Sequence, residues 1–245
     1  MTREDFSNYF DTQLNSYAQT ALYGNDVSKA DLRVDEYEKS LFLTRAQEEV
    51  VLSLYSGKNP YNESFEATEE LRRYLAPLVC EAKKQPIPNS SGIPLGMGSN
   101  STFFTLPEDL WFITYESVDV SDAKCESTST LDVYPVRQDE YHKIKRNPFR
   151  GANYRRALRL DLSEGNVEII CKYTITDYYV RYLRKLNPII LTDLSDGLDI
   201  EGISEATDCE LPDILHQRIL DRAVTLALQS KGISANTGQR RDNRE

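Results

Sequence analysis

Apolar positions along the chain change their spacing twice, and each change predicts a different kind of element. Near the start, Phe6, Tyr9, Phe10, Leu14, Tyr17 and Ala18 recur at three- and four-residue steps. That spacing predicts an amphipathic helix behind a Thr2–Asp5 cap, stopped at Gly24-Asn25-Asp26. Tyr37 to Leu43 reads as a short strand. Thr44-Arg45-Ala46-Gln47 matches a capping box, opening a helix with Ala46, Val50, Val51 and Leu54 inward and Gly57 as its stop. A third helix follows Ser64, with Leu71, Tyr74, Leu75 and Leu78 on its apolar face and Pro77 limiting it.

Residues 85–102 are rich in Pro, Gly, Ser and Asn and read as a loop. Beyond Phe103 the spacing falls to two. Strands are expected at Trp111 to Val120, at Leu131 to Val136 and at Arg156 to Leu162. Further strands run from Val167 to Tyr173 and from Tyr178 to Tyr182. Ser163-Glu164-Gly165-Asn166 is a hairpin loop, and Asp139 to Lys145 a helical turn ended by Asn147-Pro148. Leu158, Leu160 and Leu162 should share one buried face, continued by Val167, Ile169 and Cys171. Short strands and tight turns predict a small antiparallel meander. Helical spacing returns after Pro212, with Leu215, Ile219, Leu220, Ala223, Val224, Leu226 and Ala227 inward and Gly232 as the stop.

The expected fold is therefore α+β: a bundle of the N-terminal helices and the C-terminal helix, with an antiparallel β-domain inserted. Its parts are a helical segment 1–84, a loop and β-domain 85–192, an acidic arm and helix 193–231, and a flexible tail 232–245.

Charge adds a second pattern. The net charge is −10 overall, which disfavours a nucleic-acid-binding surface over most of the molecule. Yet residues 137–184 carry 11 basic and 6 acidic side chains, whereas 193–213 carry eight acidic and no basic ones. Copies could meet with opposite signs facing. Fifteen tyrosines against one tryptophan fit a protein of many half-exposed contacts.

No chemistry emerges. Cys80, Cys125, Cys171 and Cys209 form no C-x-x-C pair, so reduced thiols in a cytosol are expected. Gly96-Met97-Gly98 lacks the ending of a phosphate loop. His142 and His216, on a charged turn and a polar helix side, have no third partner and read as surface residues. Asp193, Asp196, Asp199 and Glu201 miss the calcium-loop pattern and read as a solvated arm. No apolar run approaches the roughly 18 residues of a membrane span. Neither cofactor nor metal nor enzymatic activity is expected.

Several short motifs carry a resemblance. They are Leu43-Thr44-x-Ala46-Gln47-Glu48-Glu49 before Tyr55-Ser56-Gly57, then Leu106-Pro107-Glu108-Asp109-Leu110, then Asn147-Pro148-Phe149-Arg150. Tyr182-Leu183-Arg184 with Pro188-Ile189-Ile190, and Cys209-Glu210-Leu211 with Leu215-His216, complete the set. Together the chain resembles structural proteins of crAss-like tailed bacteriophages, of the head-to-tail connector and tail-adaptor ring class. The resemblance implies a homo-oligomeric ring, usually twelvefold, in the virion neck or upper tail and assembled in the host cytoplasm. It implies a portal protein and neighbouring tail rings as partners, with DNA passing through and no membrane. A tail-associated receptor-binding module is the alternative, with a hydrolase disfavoured for want of a nucleophile and base. The residues expected at interfaces are Asn147, Pro148, Phe149, Arg150, Arg155 and Arg156. Asp193, Asp196, Asp199 and Glu201 of the acidic arm are expected opposite them, and Arg240 and Arg241 of the tail are further residues expected at interfaces.

Overall fold

A computed structural model describes residues 1–22, 33–58, 64, 67–88, 100–121, 128–195 and 197–231, and these described residues form seven strands and five α-helices. The Gly24-Asn25-Asp26 stop, Gly96-Met97-Gly98, Cys125, Asp196, Gly232 and the tail with Arg240 and Arg241 lie outside the described residues. The chain divides into two compact units, one of Met1–Pro77 with Leu186–Glu245, the other of Leu78–Lys185.

The first unit holds α1 (Arg3–Leu22), α2 (Glu36–Ser56), α3 (Glu69–Leu75) and α5 (Asp213–Ser230). Thr2 and Asp5 cap α1 reciprocally: each side chain accepts from the other's backbone N–H, at 3.2 and 2.9 Å. α5 packs on both α1 and α2, and the buried Lys39 of α2 ties the two to each other through Ser7 and Asp11 of α1 at 3.0 and 2.7 Å. Its buried residues are the expected seven together with His216 and Leu228. His216 is thus only 4% exposed and not a surface residue, its Nε2 lying 2.8 Å from the Leu211 carbonyl oxygen.

α2 corrects the sequence reading most sharply. No strand occupies Tyr37 to Leu43, and Thr44 begins nothing. The helix starts at Glu36, where the Asp35 side chain accepts from Glu38 N–H at 2.7 Å, and it ends on Gly57 at φ 76°. Ser40, Thr44 and Gln47 lie one helical turn apart and are buried, so their hydrogen-bonding groups serve other backbone than α2's own N-terminus. Likewise the cap of α3 is Thr68, not Ser64: its hydroxyl accepts from Leu71 N–H at 3.3 Å.

The second unit is a seven-stranded sheet, and it overturns the expected fold class. Most of the ordered architecture is a curled, half-barrel mixed sheet with a few helices, not a helical bundle carrying a small antiparallel insert. The strands are β1 (Val79–Lys84), β2 (Ser101–Thr105), β3 (Leu110–Ser121), β4 (Thr128–Pro135), β5 (Arg156–Asp161), β6 (Asn166–Ile170) and β7 (Thr174–Arg184), ordered β1-β7-β3-β4-β5-β6-β2. Two strands escaped the sequence reading because VCEAKK and STFFT lack clean alternation. A meander was the wrong topology because β4 and β5 are parallel, Asp132–Pro135 against Arg156–Arg159. A parallel pair needs a crossover, and α4 (Tyr141–Lys145) and the loop after it supply one. Three register shifts along β3 and β7 add local twist, which curls the sheet.

Face assignment also differs from expectation. Leu158 pairs with Ile170 and Leu160 with Glu168, so these residues share one face. They pack under α4 with Tyr141. Ala157, Val167, Ile169 and Cys171 belong to the opposite core with Phe104, Val118 and Tyr178. β5 is therefore buried on both faces. The β5–β6 hairpin is as read, Glu164 and Gly165 both taking the left-handed conformation at φ 58° and 69°.

Candidate functional site

The crossover between β4 and β5 carries the most conspicuous surface feature of the sheet unit. Tyr141 is buried against Leu158, Leu160 and Ile170, with Ile144 and Ala152 packed around them. This fixes α4 and the loop after it on the sheet. The chain then turns outward. Asn147 Oδ1 accepts from Phe149 N–H at 2.9 Å and from Arg150 N–H at 3.2 Å, a side chain mimicking a backbone turn. Pro148 presets the first backbone angle of that turn, and Gly151 N–H closes it on Asn147 O at 2.8 Å.

Phe149 stands at the tip, 85% exposed. An aromatic ring left in water by a turn so well tied is not there for the fold. Tyr154 follows five residues later, 72% exposed, with Lys172 Nζ 5.3 Å from its ring centre. The Arg156 guanidinium lies 4.1 Å over the Tyr134 ring and donates to the Phe149 carbonyl at 3.3 Å. Asn153 Oδ1 fixes the next turn by accepting from Arg155 N–H at 2.9 Å, and Arg150 and Arg155 point into solvent. The knob is thus aromatic at its tips, basic around them and preorganised by its own hydrogen bonds.

Gly151 explains why the turn holds this shape. A Cβ there would sit 2.9 Å from Asn147 O and 3.2 Å from Ile144 O, both backbone atoms. Gly151→Ala should therefore cost about 1–3 kcal/mol, as overpacked sites do. It should also loosen the knob, read as faster amide exchange at Phe149 and Arg150. Wild-type exchange at both positions would refute this account of the turn.

Among the residues expected at interfaces, Asn147, Pro148, Phe149, Arg150, Arg155 and Arg156 come together in this one loop. Asp193, Asp199 and Glu201 lie in the other unit, on the lobe after Leu191, and all three are exposed. Asp193 Oδ1 accepts from Ala206 N–H at 2.8 Å and Asp199 Oδ1 from Gly202 N–H at 3.0 Å, so the lobe is built as well as acidic. Glu201 holds a left-handed φ of 54°. Burial, then the Glu201 carboxylate, raises the Glu48 carboxyl above its ordinary range. Sequence reasoning missed Tyr134, Tyr154, Lys172 and the half-exposed Leu198 of the lobe. Tyr154 between Asn153 and Arg155 was the available signal.

No chemistry competes with this surface among the described residues. No group of three or more His, Cys, Asp or Glu side chains converges there on a metal-sized site. No described helix is long and apolar enough to cross a membrane. A shallow polar groove between α2 and α5 is lined by Glu49, Ser53, Arg218, Asp221 and Arg222, where Arg222 already pairs with Glu49 at 2.5 Å.

Known proteins share this chain almost end to end. Residues 1–239 match the family model described as phage tail ring protein 3/4. Ring protein 3 of Bacteroides phage crAss001 is 43% identical over 236 residues, 94% of this chain and 96% of that protein. Ring protein 4/5 of the same phage is 31% identical over 236 residues, 93% of this chain and 92% of its own length. With residues 1–239 of the 245 matched, the chain belongs to the phage tail ring protein 3/4 family.

Proposed function

We propose that this protein is a non-enzymatic structural component of a phage virion whose copies close into a ring in the neck or upper tail. The ring joins the portal to the tail, stacks on other tail rings, and lets the genome pass. Twelvefold symmetry is the expected copy number, and assembly takes place in the host cytoplasm. The observation that carries the reading is the near-complete match to ring protein 3 and ring protein 4/5. Physical support comes from charge. A closed ring needs two different surfaces on each copy that fit one another, which segregated basic and acidic regions supply. A net charge of −10 also suits a conduit, because an acidic wall repels phosphates and does not hold the DNA back.

Native mass spectrometry of the purified protein, paired with imaging of virions carrying a tagged copy, tests the reading. Closed rings, or a label on the neck or upper tail, are expected. A stable monomer whose label sits on peripheral fibres and which binds cell-surface glycans would favour an adhesion role instead. The exposed rings of Tyr115 and Tyr154 are the feature behind that second reading, since sugars stack on such faces.

A further inference from the structure

Among the described residues, the Phe149 knob on the sheet unit and the acidic lobe of residues 192–195 and 197–208 are exposed features that the fold does not require. We propose that they are partners, the knob of one copy seating on the lobe of the next, with Phe149 against Leu198. The pairing rests on the ring reading above and names the two surfaces that would close the ring.

The chemistry of the surfaces is complementary. Arg150, Arg155 and Lys172 surround the aromatic tips and are exposed. On the lobe, Leu198 is 44% exposed and is followed by Asp199, Glu201 and Glu205, all exposed. An apolar centre within a charged rim is the ordinary anatomy of a protein interface, and aromatic and arginine side chains are its usual anchors. Both surfaces are held in shape before contact. The knob is tied by Asn147 and Asn153, and the lobe by paired bonds between Ile200 and Ile203 at 2.9 and 3.0 Å and between Leu194 N and Ser204 O at 2.8 Å. Ile200 is buried, so the lobe is anchored and cannot fold away when Leu198 is covered. Preorganisation on both sides lowers the ordering cost of association. A second copy is the favoured occupant because the surface that complements the knob is present on this same chain.

A charge-swap experiment in full-length protein tests the pairing. Arg150→Glu with Arg155→Glu reverses two exposed cations of the knob and leaves the Arg156 contacts intact. Glu201→Lys with Glu205→Lys places two cations on the lobe rim near Leu198 and leaves the Asp199 cap intact. Each reversal should lower the assembled fraction about tenfold or more, and combining all four should restore most of it. Far-UV circular dichroism confirms that each variant is folded, and Phe149→Ala and Leu198→Ala should weaken assembly without altering net charge. Unchanged assembly of the reversed proteins, or no restoration in the combination, would overturn the pairing while wild-type rings leave the ring reading standing. Failure of the wild type to assemble alone or on virions would remove both. If the knob reversal assembles normally but loses affinity for duplex DNA, the knob is a phosphate contact and the pairing is wrong.

Discussion

Replacing Arg159 with Met should cost the protein about 3–5 kcal/mol of stability at neutral pH, because it strands a buried carboxylate. Arg159 stands on β5, 8% exposed, and its guanidinium Nη1 donates to Glu116 Oε1 of β3. Tyr178 of β7 donates to Glu116 Oε2 at 2.8 Å, and Asp161 Oδ1 lies 3.0 Å from Arg159 Nε. The location matters. The β3–β4 ladder ends at Ser117–Asp132, and on its other edge β4 pairs with β5 from Asp132 onward. The ion pair ties β3 to β5 close to where the β3–β4 ladder ends. With Arg159 gone, Glu116 keeps the Tyr178 hydroxyl and loses its counter-ion.

The same loss should carry a pH signature. Burial already holds the Glu116 carboxyl above its ordinary range, while Arg159 and the Tyr178 hydroxyl pull it back down. Removing Arg159 removes the larger restraint, so the folded-state pKa climbs further. A carboxyl whose pKa is raised on folding contributes stability that is complete below its unfolded value and lost as pH rises through the folded one. The deficit of Arg159→Met should therefore be smallest near about pH 5 and grow toward about pH 8. Thermal unfolding followed by circular dichroism at both values measures it. Adding Glu116→Gln should recover most of the loss, since the buried group is then neutral and still hydrogen-bonded. A deficit that stays the same at both pH values would show that packing, not charge, sets the cost.

What the sequence disclosed and what it hid follow one physical division. Elements whose pattern is local were legible: the seven apolar positions named for α5 are all buried, Gly57 is the left-handed stop of α2, and the Glu164-Gly165 turn is where two positive φ angles fall. Choices made by partners distant in sequence were not. Thr44 and Gln47 spell a capping box locally, but a neighbouring segment far along the chain claims both side chains. Arg159 reads as one more cation in a basic run until Glu116, 43 positions away, brings it inside. The parallel register of β4 and β5 depends on a crossover that short-range spacing cannot reveal, so the meander expected from tight turns was wrong. At the candidate interface the residue types were legible at Asn147 to Arg150. The exposure of Phe149 and Tyr154 depends on which face α4 packs against, and no periodicity records that.

Removing the hydroxyls of Ser40 and Thr44 should produce the second large loss, because those groups stand in for a missing strand. Asn187 to Leu191 runs past α2 in extended form with its last four residues buried. Ile189 N–H donates to Thr44 Oγ1 at 3.1 Å, and Leu191 N–H donates to Ser40 Oγ at 3.0 Å. Gln47 Nε2 donates to Asn187 O at 2.6 Å, one helical turn further along. Ile190, pointing the other way, exchanges backbone bonds with Thr207 at 3.2 and 3.0 Å. A helix cannot offer its own backbone to a neighbour, since its bonds run along its axis, so side-chain oxygens on one stripe do the work of a sheet edge. Thr44→Val keeps the volume and leaves the Ile189 N–H buried without an acceptor, and Ser40→Ala does the same to Leu191. Each should cost about 1–3 kcal/mol, and the double variant about 2–6 kcal/mol if the two sites act independently. Urea unfolding gives the totals, and hydrogen exchange at the Ile189 and Leu191 amides locates them. Thr44→Ser, which retains the oxygen, should lose little beyond its methyl group. If Thr44→Val and Thr44→Ser were equally stable and Ile189 stayed protected in both, the hydroxyl would be a bystander. Burial of Ile189 against α2 would then have to account for the position of this segment by itself.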